Sequence, residues 1–155
     1  MSTPEQRLAD AGITLPQPVS PVANYVPFTR FGDLVHISGQ VSLDAASGQR
    51  VTGVVGVDLD LAQAQAAARL CAINVLAQIR LACAGDLGRV LQVLKLNGFV
   101  QAGPDFYDIP QVINGASDVM VTAFGDHGRH ARSAVGVYRL PLNFAVEVDA
   151  VVRAA

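Results

Sequence analysis

From Phe144 to Val152 the chain alternates: Phe144, Val146, Val148 and Ala150 fall on one face of an extended strand, and Ala145, Glu147, Asp149 and Val151 on the other. A strand patterned this way belongs to a sheet with one covered face, and the chain carries a cover for it. Leu59, Ala62, Ala66, Leu70, Ile73, Ala77 and Leu81 recur at three- and four-residue steps. They predict a long helix that starts at an Asp58 or Asp60 cap, runs to about Ala84 and stops at Gly85. Its alanines form a smooth stripe suited to close packing on a sheet.

The other elements extend this plan. Thr3-Pro4-Glu5-Gln6 predicts a short helix through about Ala11, and the four prolines between Leu15 and Pro27 predict an extended segment laid over the body. Leu34 to Val41 reads as a strand in which Gly39 marks a bulge or a ligand's approach, and Arg50 to Val57 as a second, glycine-interrupted strand. Val90 to Val100 is a third strand. A helix after Pro110 puts Ile113, Ala116, Met120 and Ala123 on one face and ends at Gly125. Arg132 to Arg139, a Leu140–Asn143 turn and the final strand complete an α+β order: a mixed or antiparallel sheet with two main helices on one face. The whole of 1–155 is expected to form one domain, with 1–24 as an N-terminal extension.

Composition adds one constraint. With 155 residues, 51% of them hydrophobic and 15% charged, the chain has more apolar surface than one small core hides, and an oligomer interface is the expected destination. No membrane span is expected, because Leu61 to Ile79 contains Gln63, Gln65, Arg69, Asn74 and Gln78. The start, Met1 to Asp10, lacks the apolar run of a signal peptide, so a cytoplasmic protein is expected. A net charge of -2 gives no general attraction to nucleic acid. Cys71 and Cys83 have no partners at zinc-ligand spacing and read as core residues; no metal site is expected.

Phosphate-binding, metalloprotease and nucleophile-elbow motifs are absent. What stands out is a few polar residues in apolar strands: Ser38, Asn114, Arg132 and Glu147. An arginine at the start of a strand, beside Ser133 and Ala134, has the fork to grip a planar carboxylate by two hydrogen bonds. If the Leu140–Asn143 turn closes a hairpin pairing Arg139 with Phe144, then Gly136 faces Glu147, and Arg132 shares Glu147's side of the sheet. A structural ion pair or two solvated groups would fit the same spacing. Ser38 and Asn114 also have local hydrogen-bonding roles open to them, and Tyr25 either covers a pocket or packs as an amphipathic aromatic. His36, His127 and His130 read as surface or strand residues.

Asn24-Tyr25-Val26, Ile37-Ser38-Gly39-Gln40-Val41 and Val112-Ile113-Asn114 resemble, in order, segments of the Rid/YjgF/YER057c/UK114 family. Ala131 to Pro141 and Val146 to Ala150 carry the most specific part of the likeness. The resemblance implies a chorismate-mutase-like fold assembled as a homotrimer, with an inner barrel of sheets and ligand clefts between subunits. It also implies cofactor-free hydrolysis of reactive enamines and imines, such as those of 2-aminoacrylate, to 2-keto acids and ammonia. Carried over residue by residue, Arg132 would clamp the substrate carboxylate and Glu147 would position or activate water. Tyr25, Ser38 and Asn114 would line the cleft, with backbone groups near Gly39 and Ala134. Ala134 stands where the archetypal deaminases often carry cysteine, and the Phe124–His130 loop and the longer N-terminus mark a divergent subgroup. Two other functions are open to such a chain: a small-carboxylate sensor without turnover, and the endoribonuclease or translation inhibitor of the family's older label. Against the latter stand the net charge and the absence of tryptophan.

Overall fold

The computed structural model describes residues 2–155; Met1 lies outside the described residues. In chain order the elements are α1 (Pro4–Asp10), β1 (Phe28–Phe31), β2 (Leu34–Val41), α2 (Leu61–Ala82), β3 (Val90–Gln101), α3 (Ile109–Phe124), β4 (Ala131–Val137) and β5 (Val146–Ala154). This is the α+β fold read from the sequence, with the short α1 as a third helix beside α3. The five strands form one mixed sheet in the order β1-β2-β5-β3-β4, antiparallel except for β3 with β4.

α2 begins at Asp60, whose carboxylate takes the Gln63 N–H while the Gln63 side chain takes the Asp60 N–H, a reciprocal capping box. Asp58 instead closes the turn before it by accepting the Val54 N–H at 2.8 Å. The helix lays Ala64, Ala67, Ala68, Cys71, Ala72 and Val75 into the core opposite Val146, Val148, Ala150 and Val152 of β5. Small side chains let α2 sit close on the sheet, and Gly115 lets α3 sit close on α2: a β-carbon there would strike the Gln65 carbonyl. The other face of the sheet carries no helix. His36, Glu147, Asp149, Lys95, Asn97 and Phe99 fall on this open face. Among the described residues no helix is long and apolar enough to cross a membrane.

Two expectations are corrected. Arg50 to Val57 is no strand: it makes only isolated bridges, to Leu43, Phe144, Leu59 and Ala102. Gly53 and Gly56 take positive φ values of 118° and 85° there and break the extended run. The second correction concerns the turn before β5. Arg132's strand and Glu147's strand do not form a hairpin, because β3 lies between them. Leu142 and Asn143 adopt left-handed φ values of 55° and 63°, and the fully buried Gln101 anchors the crossing. Its amide accepts the Leu140 N–H at 2.8 Å and donates to Asn143 Oδ1 at 2.7 Å and to the Gly53 carbonyl at 3.1 Å. The chain is thereby carried past the end of β3.

Candidate active site

The polar residues singled out in the sequence fall into two groups. The first surrounds Glu147. Through β3 the register aligns Glu147 with Phe99 and Val135, whereas Val146 and Val148 on either side face the core. Next to it, β2 bulges between Ile37 and Gln40, which brings Gly39 against the carboxylate. A β-carbon on Gly39 would occupy the space of Glu147 Oε1 and come within 2.9 Å of Cδ. Glycine is thus required by this approach.

A cleft of about 220 Å³ opens here, walled by Tyr25, Gly39, Gln40, Phe144, Glu147 and the strap of the N-terminal extension from Val19 to Val22. The strap is held down by the buried Gln78, which donates to the Val19 carbonyl at 2.7 Å, and by the half-buried Arg80, which donates to the Pro16 carbonyl at 3.3 Å. Ser38 ties in its far end, donating its hydroxyl to the Val26 carbonyl at 2.6 Å and its N–H to Pro27 at 2.9 Å. Arg50, over the Phe144 ring at 5.8 Å, stands at the rim. Partial burial holds the Glu147 carboxyl above its ordinary value, and the Asp149 charge pushes the same way. Asp149 is also raised by burial, an effect partly offset by its hydrogen bond from Asn97.

The second group surrounds Arg132. In register with Leu96 and Ala150, it lies on the helix-covered side of the sheet, so the expectation that it shares Glu147's side is wrong. Its Nη1 donates to Asn114 Oδ1 at 2.8 Å and to Ser117 Oγ at 3.2 Å, and Nη2 donates to the Pro110 carbonyl at 3.3 Å. All three acceptors are neutral and belong to α3. Among the described residues the ion pairs are Arg129–Asp126 and Arg153–Asp33, so the Arg132 guanidinium has no carboxylate partner among them. Ala134, two residues on, shares its face and packs half-buried against the core.

Within one chain, therefore, Tyr25, Gly39 and Glu147 line one cleft, Ser38 is not in its lining and instead ties down the strap beside it, and Arg132, Asn114 and Ala134 lie at another surface. Sequence reasoning missed Ser117 and Gln101, and it read His130, whose ring meets Ser117 Oγ at 2.9 Å, only as a surface or strand residue. None of the three carried a signal in the sequence, because their partners are distant in the chain or lie in a polar loop. Cys71 and Cys83 are buried, and burial with the nearby Glu147 charge pushes the Cys71 thiol well up. It remains protonated and offers no nucleophile. Among the described residues no group of three His, Cys, Asp or Glu side chains converges as metal ligands would.

Comparison with known proteins agrees with this architecture. Residues 5–152 match the family described as "YjgF/chorismate mutase-like, putative endoribonuclease". The chain is 47% identical over 142 residues to protein TCP17 of Trypanosoma cruzi, covering 91% of this chain and 88% of that protein. It is 29% identical over 137 residues to a 2-iminobutanoate/2-iminopropanoate deaminase of Dermatophagoides farinae, covering 88% of each. The crystal structure of Atu1372 from Agrobacterium tumefaciens, described as of unknown function, superposes with a TM-score of 0.90 at 50% identity over 99% of this chain and 94% of that one. With residues 5–152 matched by the family and the fold superposing over nearly the full length, the chain belongs to the Rid/YjgF family.

Proposed function

We propose that the chain hydrolyses reactive enamines and imines of the 2-aminoacrylate type to 2-keto acids and ammonia, without a cofactor, in a cleft shared by neighbouring copies of a homotrimer. One observation carries the reading: Arg132 and Glu147 each lack a partner charge and stand on opposite faces of the sheet, so each is half of a site. Packing the open sheet faces of three copies together would bury Phe99, Val135 and Val151 and bring one copy's Arg132 toward the next copy's Glu147. The deaminase activity in the name of the Dermatophagoides relative supports the same chemistry.

The Arg132 fork, steadied by Asn114 and Ser117, binds the substrate carboxylate and orients the C=N bond. An enamine first becomes the imine as its carbon gains a proton and its nitrogen loses one. Water then adds to the imine carbon, Glu147 taking a proton from the water and passing it to nitrogen to give the carbinolamine. Glu147 next takes the carbinolamine hydroxyl proton and passes it to nitrogen; the C–N bond breaks as the C=O bond forms, and ammonia leaves. A carboxyl group raised above its ordinary value suits this two-way transfer. Tyr25 and Gly39 wall the water side, and Ser38 fixes the strap that carries Tyr25. We take the setting to be cytoplasmic, where both free cysteines would stay reduced.

Release of 2-keto acid from freshly generated 2-aminoacrylate or 2-iminobutanoate tests the reading. The wild-type chain should accelerate it, and Arg132→Ala and Glu147→Ala should each lower kcat/KM by about 100-fold or more. Full activity in Arg132→Ala would overturn it. Stabilisation by 2-keto acids with no turnover would make the protein a carboxylate sensor instead.

A further inference from the structure

His130 sits in the bend that enters β4, half-buried between the 125–128 turn and α3. Its Nδ1 lies 2.6 Å from the Gly128 carbonyl and its Nε2 lies 2.9 Å from Ser117 Oγ. A carbonyl only accepts, so Nδ1 carries the ring proton, and Nε2 of the neutral ring is left as an acceptor. The Ser117 hydroxyl must then donate to Nε2. That turns its lone pairs toward Arg132, whose Nη1 donates to it at 3.2 Å. A serine hydroxyl left alone rotates freely between roles; this one is held as an acceptor for the guanidinium.

The support beneath the ring is itself built tightly. A β-carbon on Gly128 would strike the Met120 carbonyl and come within 2.9 Å of Val121 Cα, so only glycine lets the turn press against α3 with its own carbonyl aimed at His130. Nothing in this arrangement is needed to form β4, which is paired along β3 from Ala131 onward.

We propose that His130, acting through Ser117, is a positioning residue that fixes the Arg132 guanidinium for carboxylate binding, and that it does so as the neutral Nδ1–H tautomer. The proposal rests on the reading of Arg132 as the carboxylate clamp. It also makes the clamp sensitive to acid. A protonated ring would turn Nε2 into a donor, leave Ser117 facing two cationic donors and set a second positive charge beside Arg132. Burial holds the ring's pKa below its ordinary value, the bond to Gly128 partly offsets this, and the Arg132 charge lowers it further. The other charged groups on the surrounding elements are Asp118 on α3, Asp126 paired with Arg129 at the turn, and Lys95 on β3, which donates to Ser133.

The test compares wild type, Ser117→Ala, His130→Ala, His130→Gln and Arg132→Ala in steady-state turnover of 2-iminobutanoate between pH 5 and 8, with 15N NMR of the His130 ring. At neutral pH, Ser117→Ala and His130→Ala should raise KM by about tenfold with kcat changed by less than about twofold. His130→Gln, whose amide oxygen accepts the same hydroxyl, should recover most of that loss. Wild-type KM should climb as pH falls below the ordinary histidine range, and the climb should vanish in His130→Gln. NMR should report the Nδ1–H tautomer. An Nε2–H tautomer, or unchanged KM in His130→Ala and Ser117→Ala where Arg132→Ala raises it, would overturn the proposal while leaving the clamp intact. Unchanged KM in Arg132→Ala would remove the clamp, and this proposal with it.

Discussion

Arg132 and Glu147 stand on opposite faces of one sheet, in strands separated by β3, each without a countercharge. Two charged groups so placed cannot act on one small molecule within a single chain. Each is nevertheless held in place: the arginine by three neutral acceptors on α3, and the carboxylate beside a bulge that puts Gly39 against it.

Gly39→Ala should leave the fold intact and damage the chemistry. The added methyl displaces the flexible end of the Glu147 side chain rather than backbone, so Tm should fall by no more than about 2 °C. The carboxylate, moved from its place, should lose about 10- to 100-fold in kcat, with KM for 2-iminobutanoate little changed. Wild-type kcat in this variant would show that the close approach is incidental.

Gln101→Leu removes a buried hub. The Leu140 N–H and the Gly53 carbonyl lose their partner inside the protein, which should cost about 2–4 kcal/mol, read as a lower midpoint in urea at unchanged slope. A loss below about 1 kcal/mol would mean that the crossing past β3 is held by other contacts.

Stability should carry two pH-dependent contributions of opposite sign in the mildly acidic range. Glu147 and Asp149 have folded pKa values raised above their ordinary 4.5 and 3.8, so the fold binds more protons than the unfolded chain, and their contribution is lost as pH rises through the raised values. His130 is lowered from 6.5, so the unfolded chain binds the proton first, and stability is lost as pH falls from about 6.5 through the lowered value. Glu147→Gln should remove the loss that accompanies rising pH above about 4.5, raising Tm at neutral pH by about 1–3 °C while activity disappears. His130→Gln should remove the loss that accompanies falling pH below about 6.5. A profile unchanged by either substitution would contradict these assignments.

Much of the fold was legible in the sequence because the alternation of β5 and the alanine stripe of α2 are local patterns set by which side chains face the core. The cap of α2, the stop near Gly85 and the bulge at Gly39 were equally readable, since glycine and aspartate act over a few residues. The pairing of strands was not. A Leu140–Asn143 turn between two β-rich runs reads as a hairpin, and only Gln101, some forty residues away, turns it into a crossing. The same long-range fact separated Arg132 from Glu147. His130 read as a surface residue because its partners, Ser117 and Gly128, acquire meaning only once α3 and the turn are packed.

The most direct measurement of the shared cleft mixes two inactive chains. Arg132→Ala and Glu147→Ala protein, purified separately, are unfolded together in equal amounts, refolded and tested for 2-keto acid release from 2-iminobutanoate. In a trimer whose sites pair one copy's Arg132 with its neighbour's Glu147, random assembly leaves about one quarter of the sites with both groups, so about a quarter of wild-type activity should return. If the mixture stays as inactive as its parts while wild type refolded in the same way recovers fully, the two residues do not complete one another across subunits, and the account of the site is wrong.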